Sequence, residues 1–391
     1  MIGKPIHIPK HVIGARQLPK LPSNPPKETK GGGMSVNYIA DVSGCGHYRM
    51  IWPSQLMNSS KSMVISDCKR VILDPSFYKG VETIRLQRQV DTNQLNIFKH
   101  LRKIADKVGA RIIYEIDDIP FYEDIPVYNQ NRKSFARQDY RMNIETMMNM
   151  ADEVTVTTKF MRDYFIDKLD TDNVTAIPNY MPKSWMDRYY NEEKLKINLS
   201  KNKKKPRILY AGSGSHYGSA NVEDDFTALE KYVRQTVNQY QWVFFGGMPR
   251  GLFDLEQSGK IEFHNYSPVS SYAEVFSKLK AQVAIAPLLK NNFNKAKSNI
   301  KFIETAAFGI PCICQDDIVT YDDSIYRFNT PSELDDQIKA LTKDAGCYMK
   351  AVRKSRMAAD QWWLEDNITQ WEELYKHPFG SAERVELNKL Q

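Results

Sequence analysis

Lys295, Lys297 and Ser298 stand in a Lys/Asn-rich stretch, and Glu304 follows Lys297 by about two helical turns. The lysines and the serine are the residue types that meet a diphosphate, with help from the positive end of a helix that follows them. A carboxylate cannot ligate phosphate, but it can accept both hydroxyls of a ribose. Taken singly, these residues read equally well as a basic first turn and a solvated glutamate. Taken together they describe a site for a nucleotide carrying a sugar. The surrounding segment, AIAPLLKNNFNKAKSNIKFIETAAFGIPCIC at residues 284–314, supplies the order such a site requires: apolar strand, loop, helix, Gly-Pro stop, apolar strand.

Three other segments carry usable chemistry. GSGSHYG at residues 212–218 follows an apolar run and precedes a helical pattern, the context in which loop amides approach phosphate. Its G-x-G-x-x-x-G spacing departs from the dinucleotide fingerprint, whose acidic residue falls roughly 20 positions on, whereas Asp224 and Asp225 come earlier, at a helix start. Simple turn chemistry explains such a pattern as well. GCGHYR puts a small loop, Gly44 and Gly46, after the first strand, with His47 and Arg49 at the mouth of any cleft, where an arginine can balance diphosphate charge. His47 reads as either a surface or a catalytic histidine. RIIYEIDDIPF ends a strand on Asp117 and Asp118, which can hold a divalent metal, contact sugar or acceptor hydroxyls, or form a turn before Pro120.

The run KSNIKFIETAAFGIPCIC resembles the donor-binding segment of GT-B glycosyltransferases, K-S-x-x-K-x-x-E-x-x-A-x-G-x-P leading into a strand. The resemblance implies that Glu304 holds the ribose of a nucleotide sugar and that Lys297 or Lys301, with Ser298, faces the diphosphate. Lys297 stands where that family often has a second glutamate. A G-S-x-x-H element opening the second domain extends the likeness and implies donor contacts from Gly212, Ser213, Gly214, Ser215 and His216. A G-x-G-x-Y-R element after the first strand implies Gly44, Gly46 and Arg49 on the acceptor side of the cleft. The likeness further implies a nucleoside-diphosphate sugar, UDP-sugar foremost, as co-substrate, no added cofactor or metal, and retention of anomeric configuration as in glycogen-synthase-like and polysaccharide enzymes. Asp118, with Asp117 and His47, becomes the candidate for orienting an acceptor hydroxyl.

The elements needed to position these residues are legible. Strand patterns alternate with helical ones: SVNYIADV, residues 69–73, residues 83–87 before a helix near 94–108, residues 110–116, a helix over 135–150, EVTVTT, KFMRDYFIDKL and NVTAIPNY. A second series begins with RILYAGSGSHYG and runs through DDFTALEKYVRQTVNQY, QWVFFGG, KIEFHNY, SSYAEVFSKLKA and QVAIAPL into the segment first described, then SELDDQIKALTKD. Such alternation predicts α/β architecture, two Rossmann-like doubly wound parallel sheets facing a cleft. The expected organisation is a basic Pro/Gly-rich tail at 1–34, an acceptor-side domain at 35–195, a basic linker at 196–206, a donor-side domain at 207–350, and a 351–391 segment that crosses back, its long terminal helix running from about 346 to 375. Trp362, Trp363 and Trp371 are its candidate apolar attachment.

At 391 residues and 42% hydrophobic content the chain is long enough for two domains of roughly 150 to 180 residues. No apolar run approaches the roughly 18 to 20 residues that span a bilayer, the first residues lack a signal-peptide pattern, and the five scattered cysteines argue against a disulfide framework or four-ligand zinc site. Cys312 and Cys314 read as packing residues. A soluble protein of a reducing cytoplasm, without integral membrane contact, is expected. The net charge of +7 suits a polyanionic partner. With the Lys/Asn/Tyr-rich, phage-like composition it points to double-stranded DNA as a partner and a 5-hydroxymethylated pyrimidine as acceptor. A surface polysaccharide or lipopolysaccharide acceptor is the alternative. A nicotinamide-dependent oxidoreductase using GSGSHYG leaves the lysine loop and Glu304 without a role, and a non-catalytic nucleic-acid binder predicts that Lys297 and Glu304 are dispensable.

Overall fold

A computed structural model describes residues 33–169, 172–202, 204–218 and 222–376. The expected basic tail lies outside the described residues except for Gly33 and Met34, as does the chain beyond residue 376. Six strands, β1 (Met34–Tyr38), β2 (Val64–Cys68), β3 (Val81–Gln87), β4 (Arg111–Glu115), β5 (Glu153–Val156) and β6 (Val174–Ala176), pair in parallel in the order β2-β1-β3-β4-β5-β6. Six more, β7 (Arg207–Gly212), β8 (Gln241–Gly246), β9 (Glu262–Asn265), β10 (Val283–Ala286), β11 (Cys312–Gln315) and β12 (Tyr326–Phe328), form a second parallel sheet ordered β12-β11-β10-β7-β8-β9. The α/β expectation of two doubly wound sheets therefore holds.

The strands pair this way because they are apolar on both faces. Ile112, Ile113 and Tyr114 of β4 and all four residues of β10 are buried, which requires helices above and below each sheet. In the first domain the Thr92–Val108 helix turns Leu95, Phe98, Leu101 and Ile104 to the core and starts with a reciprocal cap between Asp91 and Gln94. Cys312 and Cys314 alternate onto one face of β11 and pack in the second core, as a buried strand dictates.

Three elements differ from the sequence pattern. Residues 69–73 are not a strand: β2 comes before them, and its pairing with β1 ends at Tyr38 and Cys68, so the apolar run beyond has no strand to pair with, and Ile72 bonds side chains instead, its N–H donating to Tyr38 Oη (3.2 Å) and its carbonyl accepting from Tyr78 Oη–H (2.5 Å). Residues 196–201 of the expected linker are helical, part of Glu192–Lys201, because Leu195 and Leu199 pack on Tyr348, Met349 and Val352. The terminal helix is broken into Ala345–Ala359 and Leu364–Lys376. At the break Met181 N–H donates to Trp362 O (2.9 Å) and Leu364 N–H to Met181 O (2.8 Å), pinning the chain where it crosses between domains. Beyond it, Trp371, Leu374 and Tyr375 pack with Met57, Ile65 and Ile113 of the first domain, and Tyr375 Oη–H donates to Asn37 Oδ1 at 2.7 Å. A straight helix could not have reached both cores.

Candidate active site

In the second sheet β7 and β10 are neighbours, yet the chain leaves β7 toward β8 on one side and β10 toward β11 on the other. The two loops that follow diverge and leave a crevice at the carboxyl ends of the strands, the place where open α/β sheets bind ligands. Gly246 deepens it: with φ at +95° and a hypothetical Cβ only 2.7 Å from Gly212 O, that position admits no side chain. The first sheet reverses between β1 and β3 in the same way and faces this crevice.

A cleft of about 530 Å³ lies between the two domains. Gly212, Ser213, Gly214, Ser215, His216, Lys297, Ser298, Lys301 and Glu304 all line it, and Gly44, Asp117 and Asp118 line it from the first domain. Residues separated by up to 260 positions thus converge, although the glycine loop and the lysine segment are each local motifs.

Each charged group in the cleft is held by a specific partner. Lys301 Nζ lies 2.9 Å from His216 Nε2, and His216 Nδ1 lies 2.7 Å from Asp225 Oδ2. Burial pulls the Lys301 ammonium down to about 8, helped by the like charge of Lys297 and opposed by Asp225 and Glu304. Burial, then the neighbouring Lys301, takes His216 down to about 4, so its ring is neutral at physiological pH despite the Asp225 carboxylate. Glu304 accepts from Tyr48 Oη–H (2.7 Å) on one oxygen and Tyr272 Oη–H (2.9 Å) on the other. Its burial raises its pKa, a shift that the two hydroxyls and Lys301 moderate. Two of the roughly four acceptor positions of the carboxylate are taken by these hydroxyls. Ser298 Oγ accepts from Asn179 Nδ2 at 2.9 Å, and Lys297 Nζ lies 3.6 Å from Asp118 Oδ1 and 4.5 Å from the Phe293 ring centre.

Across the cleft, Arg88 organises the aspartates. Its guanidinium donates to Asp117 and, at 3.4 Å, to Asp118 Oδ2, lies 3.9 Å from Asp41 Oδ2, and reaches Cys45 Sγ at 3.3 Å. Burial alone would raise Asp117, but the guanidinium outweighs it and leaves the carboxyl below its usual range. Arg88 itself has φ at +48°, uncommon for a residue with a side chain and typical of places where function fixes the backbone. A second cavity of about 380 Å³ adjoins the first and shares Asp118, Ser215 and Lys297 with it. Its walls include Phe135, Phe293, Ile119 and Ile125, with Asn129 and Asn131 as polar groups.

Arg49, His47, Gly46 and Lys295 are placed elsewhere. Arg49 is sealed in the first domain: Nε donates to Glu115 Oε1 at 2.6 Å, Nη2 to Val156 O at 3.1 Å, Nη1 to Ile177 O and to Asn179 Oδ1 at 3.3 Å. It is fully buried against the Trp371 ring, with Arg85 sharing Glu115, so it cannot face a diphosphate. It reaches the cleft only through Asn179. His47 donates through Nδ1 to Ser43 O (2.7 Å), packs edge-on to Trp52 and lines neither cavity. Gly46 is there because a Cβ would fall 1.5 Å from Asp41 O, a packing requirement. Lys295 lies over Phe160. Conversely, Arg88, Tyr48, Tyr272, Asn179 and Asp225 have roles in the cleft that the sequence reading missed. Tyr48 stands in the GCGHYR motif, and Asp225 reads from sequence only as an acid at a helix start.

Among the described residues no three His, Cys, Asp or Glu side chains gather as a metal site, and no helix is long and apolar enough to cross a membrane. No protein-family model matches the sequence, and no curated protein matches it. Solved structures do. A glycosyltransferase from Rickettsia africae ESF-5 superposes with a TM-score of 0.56 at 12% identity over 90% of this chain and 99% of that one. TarM gives 0.50 at 12% identity over 75% of this chain and 55% of that one, and OtsA 0.50 at 13% over 75% and 73%. The chain spans little more than half of TarM's length. The likeness shows the fold, two Rossmann-like domains in the GT-B arrangement.

Proposed function

We propose that this chain is a glycosyltransferase that moves a sugar from a nucleoside-diphosphate sugar, with uridine diphosphate as the leaving group, to an acceptor hydroxyl. The observation that carries the reading is the convergence, in one crevice at a topological switch point, of Lys297, Lys301 and the amide-rich loop 212–216 with the Tyr-capped carboxylate of Glu304. Glu304 would hold the ribose, while Lys301, Lys297, Ser298 and the loop amides stabilise the charge that grows on the phosphates as the sugar departs. Ser213 and Ser215, whose hydroxyls lie 2.6 Å apart, add donors at the loop. Cation and dipole chemistry suffices for that leaving group.

Asp118 faces both cavities and would orient the acceptor hydroxyl, while Asp117, locked to Arg88, sets its position. The configuration is retained in this reading, and no residue is assigned as nucleophile. The acceptor enters through the second cavity. A 5-hydroxymethylated pyrimidine of duplex DNA fits its aromatic walls and its two amides, which can read a base edge after extrusion, and the net charge of +7 favours a polyanion. Sugar-nucleotide panels incubated with plain duplex, hydroxymethylated duplex and saccharide acceptors, followed by mass analysis of digested nucleosides and glycans, test both levels. Sugar mass on a hydroxymethylated nucleoside is the expected result. Mass on a glycan alone removes the DNA acceptor, and no release of nucleoside diphosphate with any pair removes the transferase.

A further inference from the structure

The lysine at the heart of the donor crevice is not free to choose its direction. An ammonium has only hydrogens to offer, so at 2.9 Å from His216 Nε2 it requires a lone pair there, and the ring proton must sit on Nδ1. Asp225 Oδ2 accepts that proton's hydrogen bond at 2.7 Å. The other oxygen, Oδ1, accepts from Leu289 N–H (2.9 Å), Asn294 Nδ2 (2.7 Å) and Tyr128 Oη–H (2.8 Å). Leu289 and Asn294 belong to the donor loop itself. Tyr128 comes from the opposite domain, from the loop whose Ile125, Asn129 and Asn131 wall the second cavity, and its hydroxyl also accepts from Asn294 Nδ2 at 2.8 Å. His216, Asp225 and Tyr128 are all buried, so water does not compete for these bonds.

We propose that Tyr128, Asp225 and His216 form a positioning chain that aims the Lys301 ammonium at the donor diphosphate and ties its position to the docking of the acceptor-side loop. This rests on the donor-site reading above. Asp225 fixes the tautomer, the tautomer makes His216 an acceptor toward Lys301, and the lysine is left with its remaining hydrogens turned to the crevice. Lys297, Glu304, Asp225 and Cys312 are the other titratable groups around that ammonium. None of them supplies a lone pair in the direction His216 does, as far as the described hydrogen bonds go. Asp225 and Tyr128 line neither cavity, His216 lines the crevice, and the effect of all three reaches the diphosphate through Lys301.

The tautomer is read without any ligand. Ring-nitrogen NMR of the full chain at neutral pH, with His216 assigned among the seven histidines by loss of its signals in His216→Gln, should show hydrogen on Nδ1 and a bare Nε2. Asp225→Asn places an amide donor against Nδ1, so the hydrogen should move to Nε2 and confront the ammonium. Uridine diphosphate binding, measured by calorimetry, should then weaken about 10- to 100-fold, the scale of a lost charged hydrogen bond. His216→Gln offers Lys301 an amide oxygen that needs no tautomer, so Asp225→Asn added to it should cost little more. Tyr128→Phe should weaken binding about threefold in the wild-type background and not in the His216→Gln background, and it serves as the test should Asp225→Asn unfold. A hydrogen on Nε2 in the wild type, or equal losses from Asp225→Asn with and without His216→Gln, would overturn the chain. Failure of the wild type to bind uridine diphosphate counts against the donor-site reading, and the NMR tautomer still decides the chain.

Discussion

Two clusters in this molecule are built from the same residue types and behave in opposite ways. In the crevice of the second sheet, Lys301, Lys297 and Glu304 face a cleft, each held by one or two partners. In the first domain, Arg49, Arg85 and Glu115 are fully buried, and Arg49 and Arg85 lie over Trp371 at 4.8 and 4.6 Å from its centre. Glu115 is also bonded by Thr155 Oγ1–H, and Arg85 donates to Arg49 O at 2.8 Å. The sealed cluster pairs its charges internally, and its one unpartnered donor, Arg85 Nε, is buried out of reach of any ligand. The open one turns donors and acceptors in excess of its internal partners toward a cleft, which is what binding requires. Charge identity does not separate the two clusters; access of the uncommitted bonds to a cavity does.

The contrast can be broken most strongly at Glu115. Glu115→Ala leaves two arginines buried without a counter-charge, and chemical denaturation should show a loss of about 3–5 kcal/mol, with activity falling only as folded protein falls. Lys301→Ala should do the reverse. Its turnover with a competent donor should drop about 10²- to 10³-fold while the denaturation midpoint hardly moves. The pH dependence sharpens the same point. Lys301 titrates near 8 when folded, against about 10.4 unfolded, so between those values the unfolded chain binds more protons and stability rises slightly with pH. Diphosphate binding needs the ammonium, so uridine diphosphate affinity should fall up to tenfold per pH unit above about 8, and Lys301→Arg should flatten that slope because a guanidinium stays charged. The smallest effect is expected at Lys297. Its ion pair with the half-exposed Asp118 should be worth less than about 1 kcal/mol, so Lys297→Ala should leave thermal stability nearly unchanged, while turnover falls less than in Lys301→Ala and the donor KM rises.

The fold was readable because both sheets are parallel and buried on two faces, which leaves apolar runs at regular intervals between amphipathic helices. Boundaries failed where pairing partners decided them. Val71 and Ile72 have strand composition, but β1 ends at Tyr38 and offers them no further backbone to pair with, so Ile72 bonds the Tyr38 and Tyr78 hydroxyls instead. The terminal helical pattern is continuous in sequence, and the packing of Ala351 in the second-domain core and of Trp371 against the first domain accompanies its break. The convergence of Lys297, Ser298, Lys301 and Glu304 on one cleft was readable for a related reason: they sit on one loop and the helix after it, so their spacing is their geometry. The facing half was read less well. His47 and Arg49 follow the glycine turn as a mouth-of-cleft pair would, but the wide helical turn His47–Ile51 points Arg49 into the core and presents Tyr48 to Glu304 instead.

By itself the sequence determined the alternation of strand and helix, and with it a two-sheet cleft, together with the order of charges along each local motif. Periodicity and spacing act over a few residues, and a few residues are all they need. Tertiary structure alone decided which cations are spent and which are free. Arg49 is consumed by Glu115, 66 positions away, Arg88 by a pair of aspartates 29 and 30 positions away, and Lys301 is aimed by a histidine 85 positions before it. Electrostatic partners are set by distance in space and by burial, and neither is written in the separation along the chain.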